Sequence, residues 1–187
     1  RSRGLGDVYK RQVMSYTKKE MYATLALVVA GWAFDAFDLM VLSFALRPIG
    51  LEFGLTEFWK GLIFALQLVG TGIGGALFGV LADHVGRKRT LVTVITLYSL
   101  TTGLTAFARN LAEVSLLRFL AGLGLGGEWG VGVSILGEVW PKERRGLVIG
   151  ITQGGWPIGM ALASADYHYV MIPYGWRVGF LVASSCI

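Results

Sequence analysis

The chain has 187 residues, of which 54% are hydrophobic and 16% charged, with 27 glycines and a mean hydropathy of +0.60. A water-soluble domain carries nearer a quarter charged residues, so this composition excludes an ordinary soluble globule and points to a chain embedded in a lipid bilayer. One cysteine, Cys186, excludes a disulfide framework and a cysteine metal site, and the distribution of the +5 formal charge argues against nucleic acid as a partner.

In chain order, the first twelve residues, RSRGLGDVYKRQ, stand apart. The stretch from Asp7 to Gln12 resembles the translated end sequence of a transposon used in preparing sequencing libraries. Residues 1–12 are therefore read as an artefact and excluded from fold reasoning, with Met14 as the expected start and 13–187 as the membrane unit. Leaving out Arg1, Arg3, Asp7, Lys10 and Arg11 lowers the charge by three, from +5 to +2, which removes the case for a basic nucleic-acid arm. Five full apolar spans follow, at 21–46, 61–81, 91–108, 114–139 and 147–172, and a sixth begins at 176–187. Arg47 and Pro48 are expected to end the first. As a helix the last run would rise about 18 Å against a bilayer core of about 30 Å, so the chain is expected to stop inside its sixth helix.

The connections carry an uneven charge. Lys18, Lys19, Arg87, Lys88, Arg89, Lys142, Arg144 and Arg145 fall on one side, and Arg47, Lys60, Arg109 and Arg177 on the other. The positive-inside rule makes the first side cytoplasmic and places the N-terminus there, in a plasma or inner membrane. Glycines recur every fourth residue at Gly122, Gly126 and Gly130, at Gly70 and Gly74, and at Gly75 and Gly79. That spacing predicts close helix contacts in lipid, where no hydrophobic force drives association. The letters GLGLGG at 122–127 match a dinucleotide-binding pattern, but the strand and βαβ context that pattern needs are missing, so no cofactor is implied.

The chemistry-bearing residues lie inside the spans. Asp35 and Asp38 sit in the first, Arg118 and Glu128 in the fourth. Each acid at the centre of a membrane helix costs about 2.5–3.5 kcal/mol, so three unpaired and ionised would cost about 8–10 kcal/mol. Protonation is one escape and pairing with Arg118 another. Three acids against one arginine exceed what a structural ion pair needs, and a carboxylate that alternates between protonated and ionised is what proton coupling requires. Asp35 and Asp38, about 60° apart on a helical wheel, share a face. On the fourth span Arg118 continues the row of Gly122, Gly126 and Gly130, while Glu128 falls on nearly the opposite side with Ala121, Gly124 and Gly132. One row packs on a neighbour and the other leaves room for water or solute; the sequence leaves open which is which. Gln153, with Gly154, Gly155 and Pro157, marks a candidate kinked, cavity-lining segment.

Two longer motifs carry a resemblance. The loop GVLADHVGRKR, Gly79 to Arg89, resembles the G-x-L-a-D-r-x-G-R-k-r signature between helices two and three of the major facilitator superfamily, with His84 where a basic residue is common. RFLAGLGLGGEWGVGVSILGEVWPKERRG, Arg118 to Gly146, resembles the fourth helix and following loop of its proton-coupled metabolite, sialic-acid and carboxylate symporters. QGGWPIG at 153–159 and GWRVGF at 175–180 resemble the fifth helix and the start of the sixth. The resemblance, from about Thr17 to Phe180, implies an all-α membrane protein: the N-terminal six-helix bundle of a twelve-helix fold, truncated in helix six and lacking its own C-terminal half. It implies proton-coupled symport of a small organic acid or related metabolite by alternating access. Asp35, Asp38, Arg118, Glu128 and Gln153 would serve protons and substrate, with Arg118 and Asp35 ranked first. Gly79, Asp83, Gly86, Arg87, Glu138, Arg144 and Arg145 would form a cytoplasmic gate. A non-transporting sensor and a facilitative sugar carrier of the same fold are the alternatives. Asp166, Tyr167 and His168 interrupt an otherwise apolar expectation. His84 and His168 fall on opposite sides and no serine has a base partner, so neither a metal site nor an enzyme is expected.

Overall fold

The structure, a computed structural model, describes residues 17–186; the expected artefact at 1–12 and Met14 lie outside them. The described residues form helices joined by short turns. Helix α1 spans Lys18–Phe53, α2 Glu57–Val85, α3 Arg87–Thr105 and α4 Leu111–Val139. The fifth crossing is built from α5, Arg145–Gln153, and α6, Gly155–Asp166, followed by a π-type turn at Tyr167–Met171 and a last helical turn at Ile172–Tyr174. Helix α7, Trp176–Cys186, begins the sixth.

Helices cover the expected apolar runs, but with different ends. At the start of α1, Thr17 Oγ1 accepts from the Glu20 amide (3.3 Å) and the Glu20 carboxylate accepts from the Thr17 amide (2.7 Å), a reciprocal capping box. Pro48 does not end this helix as expected. It has no N–H to offer the Phe44 carbonyl, yet membrane helices absorb that loss, and α1 continues to Phe53. The stop is Gly54, whose φ of 63° is the left-handed conformation a C-cap uses, with its N–H on the Gly50 carbonyl. In the fifth crossing the helix is interrupted at Gly154, where Pro157 cannot donate to the Gln153 carbonyl.

Four segments among the described residues are long and apolar enough to cross a membrane: α1, α2, α4 and Lys142–Tyr174. Helix α3 is not among them: it has only 19 residues, opens on Arg87, Lys88 and Arg89, and is rich in threonine. Thr93, Thr96, Thr101 and Thr105 turn their hydroxyls back onto the carbonyls of Arg89, Val92, Leu97 and Thr101, at 2.7–3.0 Å. Each hydroxyl thus satisfies itself within the helix.

The tightest contact is between α2 and α4. A Cβ on Gly74 would overlap the Leu123 backbone, and one on Gly126 the Thr71 carbonyl, so the two glycine rows interlock backbone to backbone. Gly70 and Gly122 extend this seam. Gly130 has only ordinary contact and Gly79 faces open space, so the expectation of close packing at Gly79 fails. Two apolar clusters flank the middle of the bundle. Phe37, Val41, Leu42, Ile49, Ile63, Trp176 and Phe180 belong to one, and Leu25, Leu136, Val139, Trp140 and Val148 to the other.

Gly126→Leu in the full-length protein should drive α2 and α4 apart and cost at least about 1–3 kcal/mol, while Gly79→Leu should be near neutral. Thermal melting of the detergent-solubilised protein measures both, and equal losses would contradict the interlocked seam.

Candidate functional site

Arg118 is fully buried, and α1 and α3 turn polar groups onto it. Its Nη1 meets the two Asp38 carboxylate oxygens of α1 at 3.2 and 3.4 Å. Its Nη2 donates to Thr105 Oγ1 (2.8 Å), Thr102 Oγ1 (3.2 Å) and the Thr101 carbonyl (3.4 Å) of α3. Asp38 is completed by Thr102 Oγ1 at 2.8 Å and by Gln67 Nε2 of α2 at 2.9 Å. From α7 the Phe180 ring covers the guanidinium, with Cζ 4.8 Å from its centroid. Asp38, Gln67, Thr102, Thr105 and Arg118 all have no exposure. A buried charge pair is stable only when its remaining hydrogen-bonding capacity is filled, and this shell fills most of it; Arg118 Nε and Gln67 Oε1 lack partners.

Asp35 takes a different neighbour. It and Glu128 are buried and line one cavity of about 250 Å³ with Leu27, Val28, Trp32 and Ile95. Glu128 lies over Gly31, its Oε1 occupying the space a side chain there would need. Asp35 Oδ1 and Glu128 Oε2 have no hydrogen-bond partner. The two acids of α1 therefore share a helix face without sharing a partner, and the arginine pairs with Asp38 rather than Asp35. The row of Gly122 and Gly126 packs on α2, whereas Gly132, on the other row beside Val28, borders the cavity. Gln153 is exposed at the helix break, where its Oε1 accepts from Trp32 Nε1 at 3.2 Å.

At one end of the bundle Arg87 bridges helices. Its Nε meets Glu138 Oε1 at 2.7 Å and its Nη2 meets Asp83 Oδ1 at 3.8 Å. Gly86, at φ 101°, makes the turn that brings Arg87 back toward α4. Arg144 is exposed and makes no ion pair among the described residues, and Arg145 Nε turns to the Trp140 carbonyl at 3.2 Å. Of the residues expected to form a gate, Asp83, Arg87 and Glu138 come together, and Arg144 does not join them. At the opposite end Glu52 accepts from Arg177 (2.7 Å) and from the Trp176 indole (2.8 Å).

Sequence reading missed Gln67, Thr102 and Thr105, whose polarity alone does not distinguish a liganding side chain from a self-satisfied one. It also treated Asp166 only as a discordant residue. Asp166 is 6% exposed, and both carboxylate oxygens are without hydrogen-bond partners. Among the described residues there is no cluster of His, Cys, Asp and Glu suited to a metal ion.

A family model described as Major Facilitator Superfamily matches residues 27–185. The niacin transporter NiaP of Acinetobacter baylyi is 35% identical over 161 residues, covering 86% of this chain and 37% of that protein. The sialic acid transporter NanX of Escherichia coli is 33% identical over 152 residues, covering 81% of this chain and 38% of that protein. The proton:xylose symporter XylE bound to 6-bromo-6-deoxy-D-glucose superposes with a TM-score of 0.82 at 20% identity, over 91% of this chain and 43% of that one. The chain thus spans well under half the length of the proteins it matches.

Breaking the buried pair from one side should be severe. Arg118→Leu leaves Asp38 buried without a counter-charge and should cost about 3–5 kcal/mol. Adding Asp38→Asn to it should recover part of that loss. A thermal-melt double-mutant cycle on the full-length protein measures the coupling, and additive losses would contradict the pairing.

Proposed function

The chain belongs to the Major Facilitator Superfamily, a family of multi-pass membrane transporters rather than enzymes, and on that premise we propose that the full protein is a secondary active transporter that carries a small organic acid together with protons by alternating access. The observation that carries this reading is a charge imbalance. Arg118 is committed to Asp38, and Asp35 and Glu128 are left together at a second buried position with no basic side chain lining their cavity. Two ionised carboxylates there would repel one another and any anionic solute. A proton on Asp35, with Glu128 assisting, removes that barrier and lets the anion and its proton cross the low-dielectric interior together. Release of the proton on the other side restores the repulsion and expels the solute.

The solute class rests on two relatives named for niacin and sialic acid, both carboxylic acids. The Asp38–Arg118 pair is a hub that keeps α1, α2, α3 and α4 together as one body. The Asp83–Arg87–Glu138 triad lies at the end that bears Lys18, Lys19 and the Arg87–Arg89 cluster, which the positive-inside rule assigns to the cytoplasm. There it is the latch that holds the inner side closed and parts as the halves rock. Its members are partly exposed, so each contact is worth only about 0.2–1 kcal/mol, which suits a contact that must break in every cycle.

In proteoliposomes containing the full-length protein, Asp35→Asn should abolish organic-acid accumulation driven by a pH gradient while leaving counterflow of labelled solute in place. Gradient-dependent accumulation by this variant would remove Asp35 from the coupling mechanism. For the latch, Arg87→Glu or Glu138→Arg alone should slow uptake several-fold, and the double swap should restore much of the rate. A swap as slow as either single variant would leave the latch unsupported.

A further inference from the structure

Three tryptophans from three helices stack into one array. Trp32 of α1 stands between Trp129 of α4 and Trp156 of α6, with ring centroids 3.9 and 5.0 Å away and planes inclined by 30° and 48°. Gly155 makes the second contact possible: it lies so close to α1 that a Cβ there would stand 2.5 Å from the Val29 carbonyl. The helix break at Gly154 then turns Trp156 onto Trp32. All three rings are half-buried and line a cavity of about 500 Å³, shared with Asp35, Leu39 and Leu68. Membrane tryptophans commonly mark the headgroup level, but these lie well inside their spans, at the depth of the buried acids.

The polar equipment of this wall is specific. The Trp32 indole N–H is held by Gln153 Oε1, which fixes that ring and leaves the Gln153 amide NH₂ to donate elsewhere. The indole N–H groups of Trp129 and Trp156 make no hydrogen bond among the described residues. No lysine or arginine lines the cavity, and Arg118, the only buried basic side chain described, is closed around Asp38. The wall therefore offers π-faces and neutral donors and no cation.

Building on the transport reading above, we propose that Trp32, Trp129 and Trp156 are the specificity-determining wall of the solute site and that they select a flat, conjugated or aromatic carboxylic acid. The solute's π-face lies against the indole array, and its carboxylate accepts from the Gln153 amide and an indole N–H rather than from an arginine. A saturated ring or chain of the same size and charge is puckered. It holds its carbons off the indole faces and loses the offset-stacked contact.

The test uses purified full-length protein and calorimetric binding of two matched pairs, benzoate against cyclohexanecarboxylate and cis,cis-muconate against adipate. The flat member of each pair should bind about three- to tenfold more tightly, the worth of one aromatic contact. Trp32→Leu should bring the ratio near one, and Trp156→Leu should do the same if the first variant does not fold. Equal affinities within both pairs, failure of both flat acids to bind, or an unchanged ratio in Trp156→Leu would overturn the proposal. Binding is read without a gradient, so loss of proton coupling leaves this inference standing. Conversely, gradient-driven uptake of flat and saturated acids alike would overturn only the selectivity.

Discussion

The enclosure of Arg118 by Asp38, Gln67, Thr102 and Thr105 is the interaction on which the rest of the bundle depends. A guanidinium buried within a membrane span costs up to about 2.5–3.5 kcal/mol on insertion scales, and here α1, α2, α3 and α7 share the cost. Helix α1 supplies the counter-charge, α2 the amide that orients it, α3 three oxygen acceptors, and α7 an aromatic lid. The glycine seam between α2 and α4 serves the same end. It lets the two backbones approach closely enough for Gln67 and Arg118, on opposite sides of it, to reach the same carboxylate.

Once the arginine is satisfied, the remaining acids acquire a meaning they would otherwise lack. Asp38 is a structural counter-ion, whereas Asp35 and Glu128 have no such partner and face a cavity. One helical turn of α1 thus carries a paired acid, Asp38, and beside it an acid with an unpartnered oxygen, Asp35. The indole array adjoins that acid: Trp32 and Asp35 line both cavities, so the wall proposed to hold the solute lies next to the acid proposed to carry the proton.

Much of this was legible in the sequence, and the failures have physical reasons. The long helices follow from apolar runs, and the acids of α1 are conspicuous because lipid makes them costly. The helical wheel placed Asp35 and Asp38 on one face, but a wheel gives direction without neighbours, and the neighbours differ. Thr102 and Thr105 looked like the other threonines of α3, since only the third dimension shows that Thr102 donates to Asp38 and that Thr105, bonded to its own helix, also accepts from Arg118. Pro48 read as a stop because the rule for water-exposed helices was applied to a membrane helix. Gly79 read as a packing residue because spacing alone cannot say whether a neighbour is present. The tryptophans are separated by about a hundred residues between Trp32 and Trp129, and only the break at Gly154 and the approach at Gly155 bring the third to them.

The central claim is that solute and proton cross together. It is tested most directly with the wild-type full-length protein in lightly buffered proteoliposomes carrying no imposed gradient, with a pH-sensitive dye outside. Addition of benzoate should make the external medium transiently alkaline as protons enter with the anion, and an uncoupler should abolish the signal. Protein-dependent entry of labelled benzoate without proton movement would contradict the account.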